Sequence, residues 1–403
     1  LDPARPPVPS RPAPRATAII AAYLPNEADT IVETVHSFLA QEYSGGLQVV
    51  LAYNTPIRLE IEDELAALDR EHPGLVVLKV PDSTSKAQNV NAALRVADGE
   101  FVGIFDADHH PMTGAFDRAW AWLDDGADVV QGHCVIRNGE DSALAKLVAV
   151  EFEQIYAVAH PGRATLFGFG IFGGSNGYWR ASALERIRLR GPYLTEDIEA
   201  SVRVLEAGGR IVNDPGLVSR ELAPETPKAL WNQRMRWAQG WFQVSVRHFW
   251  SVLGSPVLSL RQRIGVAYLL GWRELYPWLA LLAWPLLAFY AWRDGGLDLS
   301  SPMFLLLTLF TAVSGPLQTL AAWRLAEPEV RRHRRWFVGA ALANLFFYTE
   351  LKNVVNRVAQ LKQLRGERRW VVTPRSAGNS GGVDTSLDAD SVVAAPRDEE
   401  VAA

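Results

Sequence analysis

Cysteine is almost missing from this chain. Cys134 is the one cysteine in 403 residues, which excludes an internal disulfide and a cysteine-built metal cluster. A basic surplus is missing too. Lys and Arg number 40 against 45 Asp and Glu, for a formal charge of -5. The imbalance sits in residues 376–403, where Asp384, Asp388, Asp390, Asp398, Glu399 and Glu400 face only Arg397, so the rest of the chain is balanced. A chain without a basic excess is not read as binding nucleic acid. Residues 1–15 lack any apolar run and hold six prolines and three arginines. They read as an extended, disordered arm rather than a signal peptide.

Apolar residues, by contrast, are plentiful at 48%, which excludes a wholly disordered or collagen-like chain. They are patterned. Runs at 17–22, 47–53, 75–80 and 101–105 have strand length and β-branched or aromatic content. Helical patterns at 27–41, 60–70 and 86–97 alternate with them, and in the first Ile31, Val35, Phe38 and Leu39 share a face. This alternation predicts an α/β domain with a mostly parallel sheet covered on both faces. In such sheets ligands bind beyond the carboxyl ends of the strands.

The C-terminal half differs. Ten of the 14 tryptophans lie between Trp231 and Trp336, as expected where rings straddle a lipid–water boundary. Residues 302–323 carry no charge and are long enough to cross a bilayer. Residues 275–292 qualify if the helix extends back towards Ile264, and 336–349 form a shorter interfacial or re-entrant candidate. The loop 293–301 has one Arg and two Asp, whereas 324–336 has five Arg and 352–375 has seven basic residues. Positive loops stay inside. Two crossings therefore place the N-terminal domain in the cytoplasm, at a plasma or inner membrane. The predicted organisation is an arm over 1–15, an α/β domain over 16–252, a membrane region over 253–365, a short segment over 366–375, and a disordered acidic tail over 376–403.

Chemistry-bearing residues fall where the sheet rule directs attention. Asp106-Ala107-Asp108 follows the run Phe101–Phe105, and His109 follows in turn. A carboxylate pair past a strand end suits a hard divalent cation, which in turn binds diphosphate. Thr195-Glu196-Asp197 opens a helical pattern, with Thr195 placed as its N-cap and Asp197 as a candidate proton acceptor. Gln233, Arg236 and Trp237 share one helix face. Arg offers a fork for phosphate oxygens and Trp a flat surface for a sugar. Lys86 opens a further helix. Residues 167–179 are rich in glycine and aromatics around Gly174 and Ser175. Each motif alone also has a plain reading, as a turn, a capped helix, an interfacial helix or a core turn.

In this order the motifs resemble family 2 glycosyltransferases of the membrane-integrated, processive type that includes cellulose, hyaluronan and chitin synthases. The resemblance covers about 17–375 and is carried by Pro25-Asn26-Glu27, Lys86-Ala87, Asp106-Ala107-Asp108-His109, Gly174-Ser175, Thr195-Glu196-Asp197 and Gln233 to Trp237. Trp370-Val371-Val372-Thr373-Pro374-Arg375 looks like the gating loop of bacterial cellulose synthase. The resemblance implies a GT-A fold and inverting transfer of a hexose from a UDP-sugar to a growing polysaccharide, with a membrane lipid as the alternative acceptor.

By the same resemblance, Asp108 would ligate Mg²⁺ or Mn²⁺ with His109, and Asp106 would contact the ribose. Asp197 would be the general base. Lys86 and Arg236 would hold diphosphate, and Thr373 and Arg375 would close over it. Pro25 and Glu27 would line the nucleotide site. Gly174, Ser175, Glu196, Gln233 and Trp237 would line the acceptor site. Where the family carries an Asp after its second strand, Asn54 stands here, with donor and acceptor groups for a base edge. Two or three spans are few for a polymer channel, so secretion would call for further N-terminal helices, an accessory export subunit or a homo-oligomer.

Overall fold

A computed structural model describes residues 5–296, 300–309, 313–367, 369–370 and 393–394. Eight strands form one sheet: β1 (Ala16–Tyr23), β2 (Leu47–Asn54), β3 (Leu75–Lys79), β4 (Phe101–Asp106), β5 (His110–Pro111), β6 (Val129–Ile136), β7 (Gly177–Arg180) and β8 (Ile211–Glu221). Their spatial order is β3-β2-β1-β4-β7-β6-β8-β5. Strands β1 to β4 are mutually parallel, β7 runs antiparallel between β4 and β6, and β5 is antiparallel to β8. The four apolar runs seen in the sequence are β1 to β4. Register places Tyr23 beside Asn54, and Ala21 beside Asp106, so the ends of β2 and β4 open on one edge.

Both faces of the sheet are covered, which is why these strands are apolar at successive positions. On β1, Ile19 and Ala21 enter one core and Ala18, Ile20 and Ala22 the other. Helices α1 (Leu24–Glu27), α2 (Ile31–Leu39), α3 (Ile61–Glu71), α4 (Lys86–Ala93) and α5 (Ala115–Asp124) supply the first cover. The helix expected over 27–41 is thus split into a turn and a nine-residue helix. The fourth helix stops at Ala93, short of the expected 97. Further along come α6 (Ala143–Glu153), α7 (His160–Phe167), α8 (Ala181–Ile187), α9 (Glu196–Glu206) and α10 (Pro227–Gly254). A π-helical turn, Gln154–Ala159, joins α6 to α7.

The N-terminal stretch 5–15 has no helix or strand. Ser10 Oγ donates to Asp124 at 2.8 Å, the Arg11 guanidinium lies 4.8 Å over Trp120, and Tyr43 donates its hydroxyl to Pro14 O.

Beyond α10, helix α11 (Leu260–Ala267) continues through a π-helical turn into α12 (Arg273–Arg293). Together they form 34 residues, mostly exposed, and this is the one helix among the described residues that is long and apolar enough to cross a membrane. The run 302–323 is described as α13 (Pro302–Thr308) and α14 (Ser314–Leu325), with 310–312 outside the described residues. Thr319 of α14 is buried and accepts from Gln154 Nε2 at 2.8 Å, so this piece packs along the α/β domain. After α15 (Pro328–Arg331) and α16 (Arg334–Ala343), a π-helical turn leads into α17 (Thr349–Leu364). The third apolar run is therefore part of one long helical path. It returns across α10, where Met235, Ala238, Val355 and Ala359 form a shared core.

Candidate active site

The site lies at the carboxyl ends of β1, β2 and β4. Ser85 caps α4 by accepting from Gln88 N–H, and this cap sets Lys86 at the first helical position. The Lys86 ammonium bonds the Asp106 carboxylate and also donates to Gly174 O at 2.6 Å. Asp106 N–H donates to Ser175 Oγ at 3.0 Å, so Ser175 ties the glycine loop to the end of β4. Gly174 has a φ of +95°, and a Cβ there would stand 2.9 Å from Asp197 Oδ2. Only glycine meets both constraints. One lysine, one β4 carboxylate, the glycine loop and the α9 terminus thus meet at a single place.

Electrostatics reinforce that convergence. Burial and the adjoining Glu196 carboxylate push Asp197 up to about 7, against the smaller opposing effects of Lys86 and Arg236. Burial likewise raises Glu196, with Lys86 and Arg236 opposing. Burial acts downward on Lys86, yet the charges of Asp106, Glu196 and Asp197 bring it out raised overall. Two cations and three carboxylates therefore share one field, and Asp197 sits where a base at neutral pH is half protonated.

Other expected site residues fall nearby in different roles. Pro25 occupies the first turn of α1, and Glu27 accepts from Tyr23 N–H at 2.7 Å. Asn54 donates to Ser83 O at 2.9 Å and accepts from Asn89 Nδ2 at 2.8 Å, which joins β2 to the loop before α4. Arg236 Nη1 donates to Leu194 O at 3.3 Å, just before the acidic pair. Gln233 is buried, and its Oε1 has no partner among the described residues. One face of Trp237 is covered by the Arg234 guanidinium at 4.3 Å.

Thr195 departs from expectation. It holds the N-cap position of α9 but makes no side-chain cap. It is buried against Gly240 of α10, where close backbone approach takes priority over the cap.

The two metal candidates differ. Asp108 is buried, and its Oδ2 accepts from Leu222 N–H at 3.0 Å. His109 is buried with Nδ1 3.0 Å from Ser219 Oγ and Nε2 3.6 Å from Glu221. It groups with Cys134 and Glu221, whose ligand atoms lie within 4.8 Å of one another. Thr373 and Arg375 lie outside the described residues.

Local pattern gave no notice of several residues. Gln131 on β6 donates to Ser175 O at 2.9 Å and accepts from Gly173 N–H at 2.6 Å, fixing the glycine loop from behind. A polar side chain inside the run Val129–Ile136 was the available signal. Glu151 of α6 is buried with Arg234 at 2.7 Å and Tyr348 at 2.7 Å, and Lys352 stands 3.7 Å away. This knot binds α6 to α10 and the C-terminal helices.

Comparison with known proteins bears on the family and the fold. Residues 14–240 match the family described as glycosyltransferase like family 2. The chain is similar to poly-beta-1,6-N-acetyl-D-glucosamine synthases of Staphylococcus epidermidis, at 28% identity over 249 residues, and of Staphylococcus aureus (strain MSSA476), at 26% over 254 residues. Those matches cover 60% and 59% of this chain and only 58% and 57% of the relatives' lengths. Among solved structures, a mannosyltransferase from Pyrobaculum calidifontis in complex with GDP-Man and Mn²⁺ shares the fold, with a TM-score of 0.58 at 23% identity over 91% of both chains. With more than half of its length matched, the chain belongs to the family 2 glycosyltransferases and has their GT-A fold.

Proposed function

We propose that this chain transfers a hexose from a UDP-sugar, with inversion, to a growing β-linked glycan at the membrane. The observation that carries this reading is the meeting of Lys86, Asp106, Gly174 and Asp197 at one strand edge. In the transfer, the acceptor hydroxyl oxygen attacks the anomeric carbon, the bond from that carbon to the phosphate oxygen breaks, and the hydroxyl proton passes to Asp197. Negative charge develops on the departing diphosphate, and Lys86 and Arg236 offset it. Such preorganised charge is commonly the largest contribution to catalysis. Gly174, with no side chain, leaves Asp197 open towards the acceptor.

The oxygen donors Asp106 and Asp108 suit a hard cation, Mg²⁺ or Mn²⁺, and the Leu222 N–H on Asp108 Oδ2 would orient that carboxylate. Such an ion would act as a Lewis acid on the diphosphate. Asn54 would meet the base edge, with Pro25 and Glu27 beside it. Trp237 and Gln233 would line the acceptor side. Thr373 and Arg375 would cover the donor.

The helix Leu260–Arg293 would hold the domain at the cytoplasmic face of the cell membrane. A second reading is transfer of one sugar to a membrane lipid, for which the helix Leu260–Arg293 would serve as an anchor. Export of a polymer would call for further membrane helices, an accessory subunit or a second copy. Incubating the full chain in membranes with a panel of radiolabelled UDP-sugars tests both. Product immobile in chromatography supports the polymer, and product moving with solvent supports the lipid. No incorporation from any UDP-sugar would refute the proposal.

A further inference from the structure

Among the described residues, several largely enclosed guanidinium groups are paired. Arg118 meets Asp214, Arg203 meets Glu199, Arg234 meets Glu151, and Arg357 meets Glu350. Arg163 on α7 is the contrast. Its Nη1 is enclosed without a partner, and its side chain has no hydrogen bond or ion pair among the described residues. Leaving a guanidinium nitrogen dry and unsatisfied is costly. Burial lowers Arg163 to about 10, so it remains charged at neutral pH.

Its surroundings define what would satisfy it. One turn earlier, His160 is buried, its ring 4.9 Å from Tyr156. His160 Cε1 lies 3.7 Å from the position a Cβ on Gly173 would occupy, beside the Gly174–Asp197 contact. Burial and the Arg163 charge hold His160 well below the usual imidazole range, so it is neutral. On the other side, Phe167 packs 6.1 Å from Tyr268. Tyr268 belongs to an exposed apolar stripe, Leu260, Ile264, Tyr268 and Trp272, at every fourth position of the membrane-competent helix. Arg261 fastens this helix to α7 by donating to Leu166 O at 2.7 Å and to Thr165 O. The Arg163 charge acts on His160 on the glycine-loop side and is felt at Tyr268 of the apolar stripe, so the cation stands close to both.

We propose that Arg163 binds the phosphate group of a membrane lipid whose chains lie along the Leu260–Trp272 stripe and whose head reaches towards the acceptor side of the cleft. A phosphate supplies oxygens for the guanidinium fork, and the stripe supplies the contact for acyl chains. This placement rests on the reading of Leu260–Arg293 as a membrane-apposed helix, and on the cleft assignment only for its direction.

The test uses the full chain in neutral detergent. Binding of dioctanoyl phosphatidic acid, dioctanoylglycerol and inorganic phosphate is titrated by thermal unfolding, with UDP affinity measured alongside. Wild type should bind the phosphatidic acid and ignore the other two. Arg163→Gln should weaken that binding roughly ten- to hundredfold, as for loss of a charge-assisted hydrogen bond. Arg163→Lys should keep part of it, and UDP affinity should hold in both variants. The proposal is overturned if Arg163→Gln binds the lipid as wild type does, or if dioctanoylglycerol or inorganic phosphate binds as tightly. It is also overturned if the variant loses UDP, which would make Arg163 a donor-site residue. Failure of sugar transfer with lipid binding intact would instead count against the proposed reaction alone.

Discussion

Asp197→Asn should inactivate the enzyme and stabilise it. The Asp197 carboxyl is raised from 3.8 to about 7 by burial and by Glu196. A carboxyl with a raised folded pKa binds its proton more tightly in the native state. Stability therefore falls as pH rises from the unfolded value near 3.8 through about 7, and is level above that. One pH unit of displacement is worth about 1.4 kcal/mol, so the cost above pH 7 is about 4 kcal/mol at full desolvation. The residue is half-buried, and solvent screening reduces this to about 2 kcal/mol. Asparagine has the same shape and no charge. The variant should match wild type near pH 4 and unfold a few degrees higher at pH 8, while transfer falls about 10²–10⁴-fold with loss of the base. The assay is thermal unfolding of both proteins across pH 4–8, with sugar transfer and UDP affinity measured on the same preparations. Equal pH dependence of stability in the two proteins would refute the assigned environment, and wild-type transfer by the variant would refute the assigned role.

Four further outcomes are expected. With Asp197 as base, kcat/KM should rise with pH and level off above about 7; a flat profile from pH 5 to 8 would contradict this. Gly174→Ala should reduce transfer strongly, because its Cβ would press on Asp197 at a φ of +95°; unchanged kinetics would show that the loop yields freely. Chelation by EDTA should abolish transfer, with recovery on adding Mn²⁺ or Mg²⁺; undiminished turnover would remove the metal from the proposal. Glu151→Gln should destabilise the protein by roughly 3–5 kcal/mol, since it strips the buried Arg234 of its counter-charge; a denaturation midpoint equal to wild type would show the knot to be dispensable.

Much of the architecture was legible in one dimension. Strands β1, β2 and β4 are buried on both faces, so nearly every position is apolar, and with β3 they were announced by the runs at 17–22, 47–53, 75–80 and 101–105. Strands β6 to β8 gave weaker signals, because Gln131, His133, Asn213 and Asp214 place buried polar groups inside them. Among site residues, Asp106 and Asp197 stood out because carboxylates beside strand ends and helix starts are visible in sequence.

Short-range pattern alone determined which segments would be strands, where the chain turns apolar enough for a bilayer, and which residue types could do the chemistry. Tertiary structure decided who meets whom. Lys86 reaches Asp106 and Gly174 across 20 and 88 positions. Thr195 surrenders its cap to Gly240, Trp237 gives one face to Arg234, and Arg163 Nη1 is enclosed without a partner among the described residues. Apart from the enclosed Arg163 Nη1, these outcomes depend on close packing between elements distant in the chain, where burial rather than local propensity sets the energy of each polar group.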